Sequence, residues 1–207
     1  MDGQITCLEG LSIAKDWLTL IIAGFGMCVA WKGLRTWQRQ LKGTSQFDVA
    51  KRLMLKVYQI RQDIEFCRAP FRTIQIFTHD GDGKPIPKSE QQYYSSNKEM
   101  WSRFNVIVKT LNEIEFLLFE SEIIIDKKIR SIFMPIEEVC RELRLNIEEY
   151  IEYCNPRYDN QRESEESRNR YRELRRIIYS RKNDEIEAKV NSAINELETF
   201  IKPYIHG

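Results

Sequence analysis

The sequence has little of what enzyme sites and metal sites are usually built from. Its two histidines are His79, in a run of turn residues, and His206, near the end of the chain, so neither suggests a pair with a nucleophile. There is no glycine-rich phosphate loop, nucleotide-binding fingerprint or metal-ligand spacing. We therefore expect no enzyme activity, no cofactor and no metal, and a site of scattered carboxylates is the enzymatic alternative left open.

The cysteines lack the pattern of a disulfide framework or a zinc site. The number of cysteines is odd and no two have a paired spacing. Reduced thiols are expected, as in a cytoplasmic protein. The five are Cys7, Cys28, Cys67, Cys140 and Cys154.

Positive and negative charges nearly balance, with a formal net charge of +1, but they are unevenly distributed along the sequence. The segment 32–72 holds ten basic residues against Asp48, Asp63 and Glu65. The segment 113–152 holds eleven acidic residues against five basic ones. This asymmetry suits a domain with a basic side towards a membrane.

The longest uncharged run extends from Trp17 to Trp31. At about 1.5 Å per residue it is roughly 22 Å long, less than the ~30 Å hydrocarbon core. Two features extend the potential span. The helix is expected to start near Leu11, before the run, and the tryptophans at its ends favour the membrane interfaces. A cleaved signal peptide would need a basic start, whereas this start carries Asp2 and Glu9. We predict an uncleaved transmembrane helix, with a buried core helix as the alternative.

The basic residues around this run predict its orientation. Lys15 precedes it, and four basic residues follow it, so the positive-inside rule places the N-terminus outside and the rest in the cytoplasm, at a bacterial inner membrane. The predicted organisation is an external segment 1–10, a transmembrane helix with a basic exit 11–43, and a cytoplasmic helical domain 44–207.

Two features of the span suggest more than anchoring. Gly24, Gly26 and Ala30 are small and would let such helices pack closely, although glycine is also ordinary in a membrane helix. Lys15 and Asp16 would lie at the outer mouth of a pore in an oligomer, or simply mark the outer interface.

Apolar residues at spacings of three and four predict an all-α, antiparallel helical bundle for the cytoplasmic domain. Gly43 and Thr44 are expected to break the anchor helix, and turn residues with prolines predict a loop or small hairpin over 73–95. The first predicted helix covers 47–68, and the next begins at a cap formed by Ser96 or Asn97. A third covers about 122–153, with a bend or break at Pro135, and a fourth about 166–181. The last is capped by Asn183 or Asp184 and stopped by Pro203.

One basic stripe on the predicted helix at about 166–181 is a candidate binding surface. Its members recur at helical spacing and would hold phosphates while the tyrosine stacks on a base. Anionic lipid and internal ion pairs with the acidic segment 137–152 are the alternatives. The stripe consists of Arg168, Arg172, Arg175, Tyr179 and Lys182.

The exit of the predicted span, Trp31–Leu41, followed by Phe47–Leu53, carries a resemblance. In this layout the chain resembles small bacterial inner-membrane proteins with one span and a helical cytoplasmic domain. Some of these are similar to membrane effectors of antiphage defence, such as the channel-forming component of the Hailong system. The resemblance implies a membrane effector and carries over no functional residue.

These observations support the hypothesis of a homo-oligomer in the lipid bilayer whose bundle senses an anionic ligand, such as nucleic acid or a nucleotide, and conducts ions. The alternative is a membrane-tethered scaffold or adaptor that recruits a protein partner and has no pore.

Overall fold

The computed structural model describes the backbone of residues 2–70, 74–156, 164–180 and 184–206, and their side chains apart from those of 2–16, 18–21 and 206. Across these residues the chain is all-helical, as the sequence predicts, and contains no strand. The helices are α1 (Asp2–Arg68), α2 (Lys88–Ile124), α3 (Lys128–Tyr153), α4 (Glu165–Ile178) and α5 (Glu185–His206).

The chain divides into two compact units, Met1–Ser45 and Gln46–Gly207. In the first unit, every described side chain is exposed. Among the described residues, we find no helix with a stretch long and apolar enough to cross a membrane. Most side chains of the predicted span before Ile22, including those of Lys15 and Asp16, lie outside the described residues.

The predicted helix break at Gly43 and Thr44 is wrong, because α1 continues through both residues. The Thr44 hydroxyl donates a hydrogen bond to the Gln40 carbonyl, 2.9 Å away and one turn back. Threonine can satisfy its hydroxyl in this way inside a helix, so it does not need to act as a cap.

The described residues of the second unit form one hydrophobic core to which α1 to α5 all contribute. Along each helix the buried residues recur at three or four positions, as expected for helices that pack by one face. Representative fully or almost fully buried side chains are Leu53, Val57 and Ile60 of α1, Ile107 and Leu118 of α2, Phe133 and Leu143 of α3, Leu174 of α4, and Ile194 and Leu197 of α5.

Helix α2 begins two turns earlier than predicted, directly after Pro87, and reaches Ile124. The following turn is closed by Ser121, whose carbonyl accepts from the amides of Ile125 and Asp126. Pro135 lies inside α3 and Pro203 inside α5, and neither ends its helix.

The connection between α1 and α2 forms a tight turn with one antiparallel bridge, His79 to Pro85. Asp80 Oδ1 accepts from the amides of Asp82 and Lys84, and Gly83 adopts φ 78°. The carboxylate of Asp80 is thus used by the turn, and no group of three metal-binding side chains occurs among the described residues.

A buried ion pair joins the end of α1 to the connection between α4 and α5. Arg68 has a side chain only 3% exposed and binds both carboxylate oxygens of Asp184, at 3.1 and 2.5 Å. Its Nε donates to the Ile177 carbonyl at 2.8 Å, and its own carbonyl accepts from the Ser180 amide at 2.9 Å. Asp184 also caps α5 by accepting from the Glu187 amide, as predicted for this position.

Replacing Arg68 by methionine should lower the free energy of unfolding by about 3–5 kcal/mol, because the largely buried Asp184 carboxylate and the Ile177 carbonyl lose a charged partner. Arg52→Met is the matched control: it breaks the exposed pair with Glu120 and should cost at most about 1 kcal/mol. Urea unfolding of the full chain in mild detergent, followed by circular dichroism, measures both. Equal losses would contradict the structural role of Arg68.

A candidate ligand pocket beside α4

The predicted basic stripe is only partly present as a stripe. Arg168, Arg172 and Arg175 lie exposed on α4, but the helix ends at Ile178. Tyr179 follows in an extended conformation, φ −102° and ψ 122°, and is half-buried. The expected helical continuation to Tyr179 is therefore wrong, and Lys182 lies outside the described residues.

The stripe arginines do not form the internal ion pairs that were one interpretation of the sequence. Among the described residues, no carboxylate pairs with Arg168, Arg172 or Arg175, and the Arg172 guanidinium contacts only the Asn169 carboxamide, at 3.3 Å. The pairing with the acidic helix is made instead by Arg170. It binds both oxygens of Glu149, at 2.7 and 2.6 Å.

Four tyrosines form a cluster between α3 and α4. Tyr150 and Tyr171 stack with ring centroids 5.6 Å apart, and Tyr153 stacks on Tyr171 at 5.1 Å. Tyr179 meets Tyr150 edge to face at 6.3 Å. Burial raises the pKa of both Tyr150 and Tyr179, so these two phenols stay protonated at neutral pH.

Arg175 connects the exposed face of α4 with this tyrosine cluster. Its Cζ atom lies 5.8 Å from the ring centroids of both Tyr171 and Tyr179. An arginine over aromatic rings keeps its N–H groups available for hydrogen bonds. Arg175 is thus a cationic hydrogen-bond donor that lies near two tyrosine rings.

A cavity of about 440 Å³ opens beside Tyr150 and Tyr179 and is lined by the first turns of α2 and the end of α3. This volume is in the range of small-molecule sites. The described lining residues include no charged side chain: Ser96, Asn97 and Tyr93 supply polar groups, and residues such as Met100 and Ile151 supply apolar surface. The lining suits a neutral, planar group with hydrogen-bonding edges.

Sequence reasoning identified Arg175 and Tyr179 but missed Tyr150, Tyr153 and the α2 wall of the cavity. The available signal was the pair Tyr150 and Tyr153, three apart, together with the tyrosine-rich start of α2. Because turn residues and prolines predict a loop over 73–95, the tyrosines at the start of α2 have no predicted place on the bundle.

Comparison of this chain with known protein families, characterised proteins and solved structures finds no match.

The Arg170–Glu149 pair predicts a small pH dependence of stability. The hydrogen bond from Arg170 lowers the pKa of Glu149 below its ordinary value of 4.5, so the pair contributes stability above pH 4.5 that is lost as the pH falls through the lowered pKa. Both side chains are about two-fifths exposed, which limits the contribution to less than about 1 kcal/mol. The free energy of unfolding in urea should fall less between neutral and acid pH for Arg170→Gln than for the wild type. If the two proteins lost the same free energy over this pH range, the pair would not contribute.

Proposed function

We propose that the chain is a homo-oligomeric, single-pass membrane protein whose bundle binds an anionic ligand and thereby controls an ion-conducting assembly of transmembrane helices. In this proposal it lies in a bacterial inner membrane with its N-terminus outside, like the antiphage-defence effectors that its layout resembles.

One observation carries the membrane part of this proposal: residues 22–31 of α1 are apolar on every side and all exposed. Phe25, Met27 and Trp31 are 73%, 74% and 71% exposed, and no charged residue interrupts the segment. A helix that is hydrophobic all round needs an apolar environment, either lipid or other protein. The basic residues that follow from Lys32 onwards favour lipid, because they fit the headgroups on the cytoplasmic side.

The ligand part rests on the cavity and on Arg175. A nucleotide matches both, since its base is planar and neutral and its phosphate is an anion. The base would enter beside Tyr150 and Tyr179, and the phosphate would meet the guanidinium of Arg175. A nucleic-acid strand would instead use the whole exposed face of Arg168, Arg172 and Arg175.

The Arg68 contacts join the proposed ligand site to the end of α1. Tyr179 lies between Ile177 and Ser180, and both of these bind Arg68 at the end of α1. A ligand that binds better when Tyr179 is displaced would act on α1 through this connection, since a ligand shifts an equilibrium only by its difference in affinity for the two states.

Two neighbouring arginines of the stripe should contribute differently to nucleotide binding. With AMP and ATP as probes, Arg175→Glu should weaken binding at least tenfold, whereas Arg172→Glu should weaken it less than threefold, because only Arg175 contacts the tyrosines. Isothermal titration calorimetry of the full chain in detergent measures both. Equal losses with a single-stranded 12-nucleotide probe, and no binding of AMP or ATP, would favour a nucleic-acid surface and contradict the pocket.

Gly26 and Gly43, which both have open space around them in the single chain, provide a test of oligomer formation. A Cβ atom added to either would meet nothing within 4 Å. Gly26→Leu should lower the mass of the detergent-solubilised protein because it keeps neighbouring helices apart, while Gly43→Leu, at the end of the basic exit, should leave it unchanged. Size-exclusion chromatography with light scattering gives the masses. A monomeric wild type would contradict the proposal and favour the tethered scaffold.

A further inference from the structure

A heptad periodicity runs along the first unit. Apolar residues recur at alternating steps of four and three on the continuous helix α1, which is the repeat of a coiled coil. They occupy the a and d positions of successive heptads, with Leu34 and Leu41 at a and Trp37 at d. We call this set, together with Thr44 at its end, the α1 seam; it consists of Ala23, Met27, Ala30, Leu34, Trp37, Leu41 and Thr44.

The α1 seam has no partner within its own unit. Met27, Leu34, Trp37 and Leu41 are 74%, 50%, 57% and 58% exposed. Three of them lie after Trp31, on the part of α1 where basic residues begin, so lipid tails do not explain them.

The charges beyond Trp31 are arranged so that copies of this helix can meet along the seam. Lys32, Arg35, Arg39 and Lys42 fall at the outermost heptad positions, f and b, and none pairs with a carboxylate among the described residues. The positions that flank a seam, e and g, carry the uncharged Gln38 and Gln40. In a parallel assembly, like charges would therefore point away from one another.

The same register also places the small residues of the apolar segment at the seam. Ala23 and Ala30 lie on it with Met27, and Gly24 and Gly26 flank it with Trp31, whereas Ile22, Phe25 and Val29 lie on the opposite side. Small residues let membrane helices approach closely, and large ones suit lipid. A helix lying flat on a bilayer would also need an apolar face after Trp31. That alternative does not explain why the apolar face after Trp31 continues the side of the helix that carries the small residues before Trp31.

We infer that the α1 seam is the surface along which copies of this chain assemble, as a parallel coiled coil that runs from the apolar segment into the basic exit. The occupant of the seam is the same segment of a second copy. This inference rests on the proposed homo-oligomer and specifies its interface.

The first test compares charge insertion on and off the seam in the full chain. The double variant Leu34→Glu, Leu41→Glu should reduce the mass in mild detergent to that of one chain, because carboxylates would face each other across the seam. The double variant Thr36→Glu, Gly43→Glu, both at c, adds the same two charges, is the matched control and should keep the wild-type mass. Thermal unfolding of the second unit should be the same in all three proteins, since these side chains lie outside its core.

The second test reads the geometry directly by disulfide formation. With Cys7 and Cys28 replaced by serine, Leu41→Cys should oxidise to a covalent dimer, because parallel helices bring equivalent a positions within disulfide reach. Lys42→Cys, at position b, should yield at least tenfold less dimer.

The outcomes separate this inference from the proposed function. A wild type that is monomeric would overturn both. An oligomer that persists in Leu34→Glu, Leu41→Glu, or equal cross-linking at positions 41 and 42, would overturn the seam and leave the homo-oligomer standing.

Discussion

The second unit depends most on the buried guanidinium of Arg68. It is the last residue of α1, and it binds a carbonyl of α4 and the carboxylate that caps α5. Three helix ends that are far apart in the sequence therefore meet at one side chain. A buried pair of this kind adds little net stability compared with apolar packing, but losing one partner is costly, so it enforces a single arrangement of these ends.

That arrangement determines the candidate site. The two backbone groups that bind Arg68 belong to Ile177 and Ser180, on either side of Tyr179. The chain leaves α4 in an extended conformation there, and the Tyr179 ring turns towards Tyr150 and the cavity. The Arg175 Cζ atom lies 5.8 Å from the centroid of the same ring, so the Arg68 ion pair and Arg175 are linked through one short segment.

How much of this the sequence could predict depends on the range of the interactions. The all-α class and the buried faces of α1 and α5 follow from local periodicity, and Asp184 as a cap follows from local chemistry. The site depends on contacts between distant residues: Arg68 and Asp184 are 116 positions apart. Nothing in the neighbourhood of Arg68 distinguishes it from the solvated basic residues of α1, and nothing near Arg170 indicates that it, and not the stripe, pairs with Glu149.

If several copies of α1 form a conducting assembly that the bundle controls, as we propose, the protein should carry ions across a membrane. Ion flux through liposomes that contain the full chain tests this, with Asp16→Asn and Lys15→Gln beside the wild type. We expect a flux that changes when AMP or ATP is added and that differs in ion selectivity between the wild type and at least one of the two variants. Liposomes that contain the inserted protein and remain tight to ions, with and without nucleotide, would contradict it.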